Sequence, residues 1–475
     1  MMATLINRKL KEHRNSPRIY IDDASLFDFA PSLLRTQSVE KSLLTFNRIW
    51  NEDNLVLELA CDGDYTLSTK MKDGVLVPVL DINLKKLGEL FDINQDLRIA
   101  IKSGKITIKA HANESDIESR ENSAMEKLQK NKALDVGSIF HGGGFLDTAM
   151  HTGCQKGGVK TTTRYAIEMD QRYLNSSRNN NKQLFNPDTY YIYSDVSLVN
   201  YTNLPKCDVI YAGIPCNGAS LSGRSKNKLE FAESHDSAGV CFFSFLNAVK
   251  SSNPAVIVIE NVKQYLSTAS YAIIKSVLGQ LGYNLQSVVL NGADYGSFEK
   301  RERMVCIAIS KGLGQESVFN AIFDNIEKMK SPKVTVLKEL LDIVPANDPS
   351  WKEVIYLKQK AIKDKAEGKG FEMQFLTEDS TSCGVIGAGY QKSRSTEPRL
   401  LHPTNPELSR LFTPAEHARI KTHNPDIVKG LPATHAHAVL GNGVIGVVFE
   451  MVGECLATSL KAQADIKYQE LQLAA

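Results

Sequence analysis

The chain has 475 residues, 42% of them hydrophobic and 23% charged, enough apolar material for two or three globular domains. No run reaches the roughly 18 uninterrupted apolar residues of a membrane span, and charges interrupt the N-terminal segment where a signal peptide would need an apolar stretch. A cytoplasmic protein without a membrane partner is therefore expected. The formal charge of +2 leaves nucleic acid open as a partner, while eight singly placed cysteines, with no C-x-x-C and no His/Cys spacing, argue against a disulfide framework or a bound metal.

In chain order, residues 1 to 112 read as a separate α+β domain, with strand-like runs at Arg18 to Ile21 and Leu55 to Ala60. Its clearest element is a hairpin in Leu97 to Ala110, where Ile99 and Ile101 precede Ser103-Gly104 and Ile106 and Ile108 follow it. Residues 113 to 132 are highly charged and predict a linker or exposed helix. From 133 to 310 short apolar runs alternate with helical stretches: Leu134 to Phe140, Tyr165 to Glu168, Tyr190 to Tyr193, Val209 to Ala212 and Ala255 to Ile259. That rhythm predicts an α/β fold, a mostly parallel Rossmann-like sheet with covering helices. Gly239 to Lys250 reads as a crossover helix, and Leu285 to Leu290 with Met304 to Ile309 as a closing hairpin. Residues 311 to 408 lose the rhythm and read as an inserted, smaller domain. In 409 to 475, Thr413 caps a helix begun by Pro414, and Gly441-Asn442-Gly443 precedes a long apolar helix.

Chemistry concentrates at predicted strand ends. Phe140-His-Gly142-Gly-Gly144 follows the first strand and opens a helix, so a ligand can approach its backbone at a helix N-terminus. Glu168, ending the next strand, stands where nucleotide-binding α/β folds place a ribose-binding carboxylate; Met169 can cover a purine and Asp195 can accept from its amino group. The same glycine loop and carboxylate would also serve a nicotinamide cofactor, a reading that leaves the next residues unused. Pro215-Cys216 follows Val209 to Ala212, and Glu260-Asn261 ends the following apolar run. A thiolate can add to carbon 6 of a pyrimidine while a protonated carboxyl group holds ring nitrogen 3, which suggests methylation of cytosine at carbon 5. Cys207, Cys241 and Cys306 lie in apolar segments and read as inert core thiols. Arg301 and Arg303 lie between two predicted strands. Tyr390, Lys392, Arg394 and Arg399 lie among glycines and serines, a composition suited to DNA contact, or to an ordinary solvated loop.

Taken together and in order, these elements resemble the cytosine-5 DNA methyltransferases of the bacterial and phage type. Phe140-x-Gly142-x-Gly144 resembles the cofactor loop, Pro215-Cys216 the nucleophile, Glu260-Asn261-Val262 the second catalytic motif and Arg301-x-Arg303 the paired arginines; Arg410-x-x-Thr413-Pro414 and Gly441-Asn442-Gly443-Val444 resemble the last two motifs. Asn217, Lys263 and Glu299 depart from the common glutamine, proline and glutamine, and Phe145 fills a frequent glycine position.

The resemblance implies the S-adenosylmethionine-dependent methyltransferase fold, with a target-recognition domain in the insertion. It also implies S-adenosylmethionine as cofactor, held by Phe140, Gly142, Gly144, Glu168, Met169, Asp195, Pro215, Asn442 and Val444. Catalysis would fall to Cys216, Glu260, Asn261, Arg301 and Arg303, acting on a cytosine flipped out of double-stranded DNA. Arg303 would hold the cytosine oxygen and Arg301 a phosphate and the loop. A tRNA methyltransferase or a non-catalytic DNA-binding regulator on the same fold are the alternatives.

Overall fold

The computed structural model describes residues 4–22, 24–29, 45–72, 75–215, 238–331, 335–368, 373–394 and 396–474. The chain divides into two compact units, Met1–Ser119 and Arg120–Ala475.

In the first unit a two-residue alternation builds antiparallel strands. One sheet orders Thr4–Lys9, Asp96–Lys102, Lys105–Ala110, Asn54–Leu59, Thr45–Trp50 and Tyr65–Thr66; the other orders Lys11–His13, Ser16–Ile21, Val75–Asn83 and Ser68–Lys72. Lys102 faces Lys105 across Ser103-Gly104, with Gly104 at a φ of 76°, and Ile99, Ile101, Ile106 and Ile108 all enter the core. An α+β domain is the expectation for residues 1–112, of which residues 30–44 lie outside the described ones. The described residues hold two sheets and short 3-10 turns at Ala24–Asp28 and Lys85–Glu89, because a period of two buries a strand face and no helix face.

The charged run forms α1, Ala112–Gln129. Arg120 anchors its second half: the buried guanidinium donates to Ser310 Oγ at 2.8 Å and to the carbonyls of Leu281 and Gly282 at 2.8 and 3.0 Å.

The second unit is built on seven strands: β1 Leu134–Ile139, β2 Thr161–Glu168, β3 Phe185–Tyr193, β4 Val209–Gly213, β5 Val256–Asn261, β6 Tyr283–Asn291 and β7 Glu302–Ser310. Their order is β3-β2-β1-β4-β5-β7-β6, with the first five parallel and β7 antiparallel to both its neighbours. Both faces are covered, so the central strands are apolar without interruption. Val209, Tyr211, Val256 and Val258 face one core with α2 (Phe145–Lys156) and α10 (Gly446–Ala474); Ile210, Ala212, Ile257 and Ile259 face the other with α4 (Ala238–Ser252) and α5 (Ala269–Gln280). Helix α3 is Gln171–Asn180. Among the described residues no single helix is long and apolar enough to cross a membrane.

Helix α6, Glu316–Lys328, corrects the expected start of the insertion at 311. Its buried Val318, Phe319, Ile322 and Ile326 lie in the same core as α10. The smaller sheet orders Lys352–Glu353, Leu408–Arg410, Pro398–Leu401 and Gln374–Leu376, beside α7, Ile355–Ala366. Its core combines Leu337, Ile386, Tyr390, Leu400 and Phe412 with Phe298 and Ile420, which lie outside the inserted sequence.

Helix α8, Pro414–Ile420, starts at the expected cap: Thr413 Oγ1 accepts from the Glu416 amide, and Glu416 returns a bond to the Thr413 amide. The Glu416 carboxylate also takes both Arg410 Nη atoms at 2.7 Å, and neither residue is exposed. Arg410-x-x-Thr413-Pro414 is thereby a closed unit that ends the smaller sheet and begins α8. Removing one partner of a buried ion pair costs about 3–5 kcal/mol. Glu416→Ala should lower the denaturation midpoint of the second unit by a corresponding amount, measured by urea unfolding followed by tryptophan fluorescence.

Behind α8, His417 and His437 stack with Nδ1 atoms 3.0 Å apart, His437 lying on α9, Ala433–Asn442. Burial pushes His437 down to about 4 and His417 well below its usual range; burial likewise pushes His423 down to about 4. The unfolded chain takes up these protons near pH 6.5 while the folded chain resists, so stability present above that pH is lost as the pH falls toward 4. Thermal unfolding scans should show the melting temperature dropping across this window, with a shallower drop in His423→Asn/His437→Asn.

Candidate active site

The strand ends carry the site. Parallel pairing sets Gly213 of β4 against Glu260 of β5, and Glu260 Oε2 lies 3.6 Å from where a Gly213 side chain would begin. A β-carbon fits there, but anything larger meets the carboxylate. Next to it, the buried Asn261 donates from Nδ2 to the Ile214 carbonyl at 3.0 Å, and its own Oδ1 accepts from the Val262 amide at 2.8 Å. Asn261 thus fixes the peptide that leads into Pro215. Pro215 is half-buried at the end of this tethered stretch. Cys216, the expected nucleophile, and Asn217 lie outside the described residues.

The third strand contributes Arg303, whose Nε stands 2.9 Å from Glu260 Oε1. Glu260 meets a guanidinium because antiparallel β7 brings Arg303 to the end of β5. Arg301 points the other way. It is buried and donates from Nη2 to the Gly441 carbonyl at 3.0 Å, with Nη1 3.5 Å from Glu299 Oε1. Arg301, expected to support a phosphate and the loop, bonds the end of α9 at Gly441.

On the other side of β4, the turn from β1 into α2 adopts left-handed backbone at Phe140, Gly142 and Gly144, with φ of 59°, 57° and 77°. An aromatic residue in that region is strained, and the strain is held by what lies beneath. His141 is buried between Ser138 Oγ at 2.9 Å, Asp147 Oδ2 at 3.2 Å and Ser177 Oγ at 2.8 Å. Sequence reasoning passed over His141; its place inside a glycine run is the signal. Above the turn there is space, since a side chain at Gly142 would meet nothing within 4 Å. Gly144 caps α2 without a side-chain bond, leaving the helix N-terminus open to a polar ligand.

Glu168 ends β2 and braces the turn: Oε2 accepts from the Gly142 amide and Oε1 from the Asp170 amide, both at 2.8 Å. Each oxygen retains a lone pair for a ligand. Met169 is 71% exposed and joins Glu168, Asp170 and Tyr173 in lining an open depression of about 600 Å³, room for a nucleoside-sized group. Asp195 is exposed beyond β3, and its Oδ1 accepts from the Ser197 amide and hydroxyl at 2.8 and 2.7 Å, which hold the carboxyl below its usual range. Asn442 is exposed at the end of α9. Val444 differs from its expected pocket role. Its side chain is in the core, and its carbonyl accepts from His423 Nε2 at 2.9 Å.

The glycine departure at Phe145 has a local cause. The ring packs edge-on against His423, centroids 5.0 Å apart, and closes over Gly143 and Gly443, where added side chains would overlap or crowd it. Two other expectations need correction. Tyr390 and Arg399, assigned to DNA contact, are buried: Tyr390 Oη donates to the Pro398 carbonyl at 2.8 Å, and Arg399 donates to Ser409 and Ser393. They hold the smaller sheet together. Lys392 and Arg394 remain exposed. Burial keeps the thiols of Cys207, Cys241 and Cys306 inert, pushing Cys207 up to about 12 and Cys241 to about 11, and raising Cys306. Among the described residues no His, Cys, Asp and Glu cluster could hold a metal.

Comparison with known proteins agrees with this geometry. The chain is 26% identical over 286 residues to the type II methyltransferase M.HhaI of Haemophilus parahaemolyticus, covering 56% of this chain and 80% of that protein. It is 28% identical over 345 residues to the type II methyltransferase M.Eco47II of Escherichia coli, covering 66% and 76%. In fold it resembles the solved S. pombe Dnmt2 methyltransferase, with a TM-score of 0.54 at 19% identity over 68% of this chain and 98% of that one. The sequence profile described as C-5 cytosine-specific DNA methylase matches residues 134–457, β1 through most of α10. The chain therefore belongs to the C-5 cytosine-specific DNA methylase family.

Proposed function

We propose that this protein transfers a methyl group from S-adenosylmethionine to carbon 5 of cytosine in double-stranded DNA. The observation that carries the reading is the junction of β4 and β5: Asn261 tethers Ile214, two residues before Cys216, beside the Glu260–Arg303 pair. A sulfur nucleophile and a carboxyl group thus leave neighbouring strand ends.

The residues at this end of the sheet fit the cofactor. Within the turn from Phe140 to Gly144, Gly142 offers open backbone for its methionine and ribose parts, Glu168 a carboxylate for ribose hydroxyls, Met169 an exposed thioether for the purine, and Asp195 an acceptor for the adenine amino group. Pro215 and the exposed Asn442 border the same end of the sheet. When bound, the cofactor supplies an electrophilic methyl group on a sulfonium.

The chain's own residues do the rest. The target base is unreachable within a duplex and must be extruded, at a cost of a few kcal/mol. Cys216 adds as thiolate to carbon 6, and Glu260, hydrogen-bonded to ring nitrogen 3 and the amino group, lets electron density collect at carbon 5. Arg303 holds the oxygen at position 2 and keeps Glu260 aligned, whereas Arg301 acts at one remove through Gly441. After methyl transfer, loss of the carbon 5 proton re-forms the double bond and expels the Cys216 sulfur. Asn261 positions the loop that carries that sulfur.

Cys216→Ala should abolish incorporation of radiolabelled methyl groups into duplex DNA while leaving DNA binding within about threefold, because the loss falls on the bond-forming step. Undiminished incorporation refutes the mechanism, and preference of the unaltered protein for tRNA over DNA refutes the substrate. Lys392 and Arg394 are the remaining candidates for phosphate contact. Lys392→Ala/Arg394→Ala should weaken DNA binding and make the slope of log K against log salt shallower by about two, as expected for two lost phosphate contacts. An unchanged slope in fluorescence anisotropy removes them from the interface.

A further inference from the structure

Beneath the site lies a second charged assembly that the reaction does not use. Glu299 and Lys421 are both fully buried, with Nζ 2.6 Å from Oε2. Glu299 precedes β7, and Lys421 ends α8. The other oxygen of Glu299 accepts from the Ile386 amide at 3.0 Å, and the Glu299 backbone bridges to Cys383. Arg301 approaches that oxygen to 3.5 Å while its other nitrogen holds Gly441. The Lys421 carbonyl accepts from the Gly446 amide at 2.8 Å, the first residue of α10. Gly441 itself is pressed against the backbone of Gly387 and Ala388, where any side chain would overlap.

Four separate stretches of chain therefore meet on one ion pair: residues 299–303, residues 383–388, the end of α8, and the turn from Gly441 to Gly446. Burial and the Arg301 charge push Lys421 down to about 7, against the pull of Glu299. A buried ion pair is a poor source of stability compared with apolar packing, so its presence asks for another reason. Its geometry supplies one, since each end of the pair continues directly into a residue of the site. Glu299 stands two residues from Arg301 and four from Arg303, and Lys421 bonds the start of α10 beyond Asn442.

We infer that the Glu299–Lys421 pair is a positioning element, setting Arg301, Arg303 and the Gly441–Val444 turn for catalysis rather than adding to the stability of the fold. This rests on the proposed methyl transfer for its kinetic readout. Lys421→Met strands a carboxylate and should lower kcat per folded enzyme by about tenfold or more, with KM for DNA within about threefold. Glu299→Gln keeps the Ile386 bond and should lose less. Glu299→Gln/Lys421→Met removes both charges together and should recover most of the lost kcat, the signature of a coupled pair.

A purely structural role predicts otherwise: lower melting temperatures with kcat per folded enzyme unchanged. That result, or a double variant no better than Lys421→Met, overturns the inference. Amide hydrogen exchange gives a second readout independent of activity. Lys421→Met should speed exchange in residues 441–446 by about tenfold and the double variant should slow it again; unchanged exchange also overturns the inference. If the unaltered protein methylates no DNA, the functional proposal fails by itself, and exchange alone then judges the pair.

Discussion

The register of β4 against β5 is the constraint from which the site follows. Parallel neighbours end at the same level, so Gly213 meets Glu260, and the two strands release their next residues side by side. A slip by one residue would send Glu260 to the opposite face of the sheet and Asn261 away from Ile214. What prevents the slip is the alternation of Val256, Ile257, Val258 and Ile259 between two cores, each already filled by helices. The site's geometry is thus enforced by apolar packing several residues away. Antiparallel β7 then adds the cation, since only a strand running back from the rim begins, rather than ends, at the carboxyl side.

Three carboxylates of the second unit each stand against a cation. Glu260 with Arg303, Glu299 with Lys421 and Glu416 with Arg410 each set a carboxylate against a cation, at 2.9, 2.6 and 2.7 Å. Such pairs repay desolvation only when geometry is close and further bonds use the remaining lone pairs, as the Ile386 and Thr413 amides do. Glu260 differs from the other two carboxylates. Its partner Arg303 is half-buried rather than fully enclosed, and Glu260 lies beside Gly213 at the end of β4. A pair at the rim can open to a base at lower cost than one sealed in the core.

Much of this was legible in the sequence, and the reason is periodicity. Short apolar runs bounded by turn residues gave the parallel strands, and strand ends gave Glu168, Glu260 and Asn261, because a parallel sheet puts such ends on one rim. The Ser103-Gly104 hairpin and the Thr413 cap were equally local. Failures came where a residue's role is set by how the chain folds back on itself rather than by periodicity. Nothing near Arg399 or Tyr390 in sequence says that Ser409, Ser393 and the Pro398 carbonyl await them, and glycine and serine neighbours make both look exposed. Arg301 and Arg303 are two residues apart, yet one is buried under Gly441 and the other faces Glu260; strand alternation would give them one face, but Arg301 precedes β7, which begins at Glu302. Residues 316–328 looked like inserted sequence because their rhythm is that of one amphipathic helix, whose core partner α10 lies over a hundred positions onward.

The departures from the family pattern become intelligible when each is read with its partner. Lys263, where proline is common, lies 3.4 Å from Glu302 at the first position of β7. Phe145, at a frequent glycine position, occupies volume between Gly143, Gly443 and the His423 ring, so its bulk is accommodated by two neighbouring glycines rather than one. Glu299, where glutamine is usual, would be an intolerable buried charge without Lys421. In each case the altered residue and its partner come from different segments, and each such pair joins segments that border the site. A buried carboxylate cannot arrive by itself, nor can a buried ammonium. The charge that Glu299 brings into the interior is thus matched by Lys421, from a different stretch of the chain.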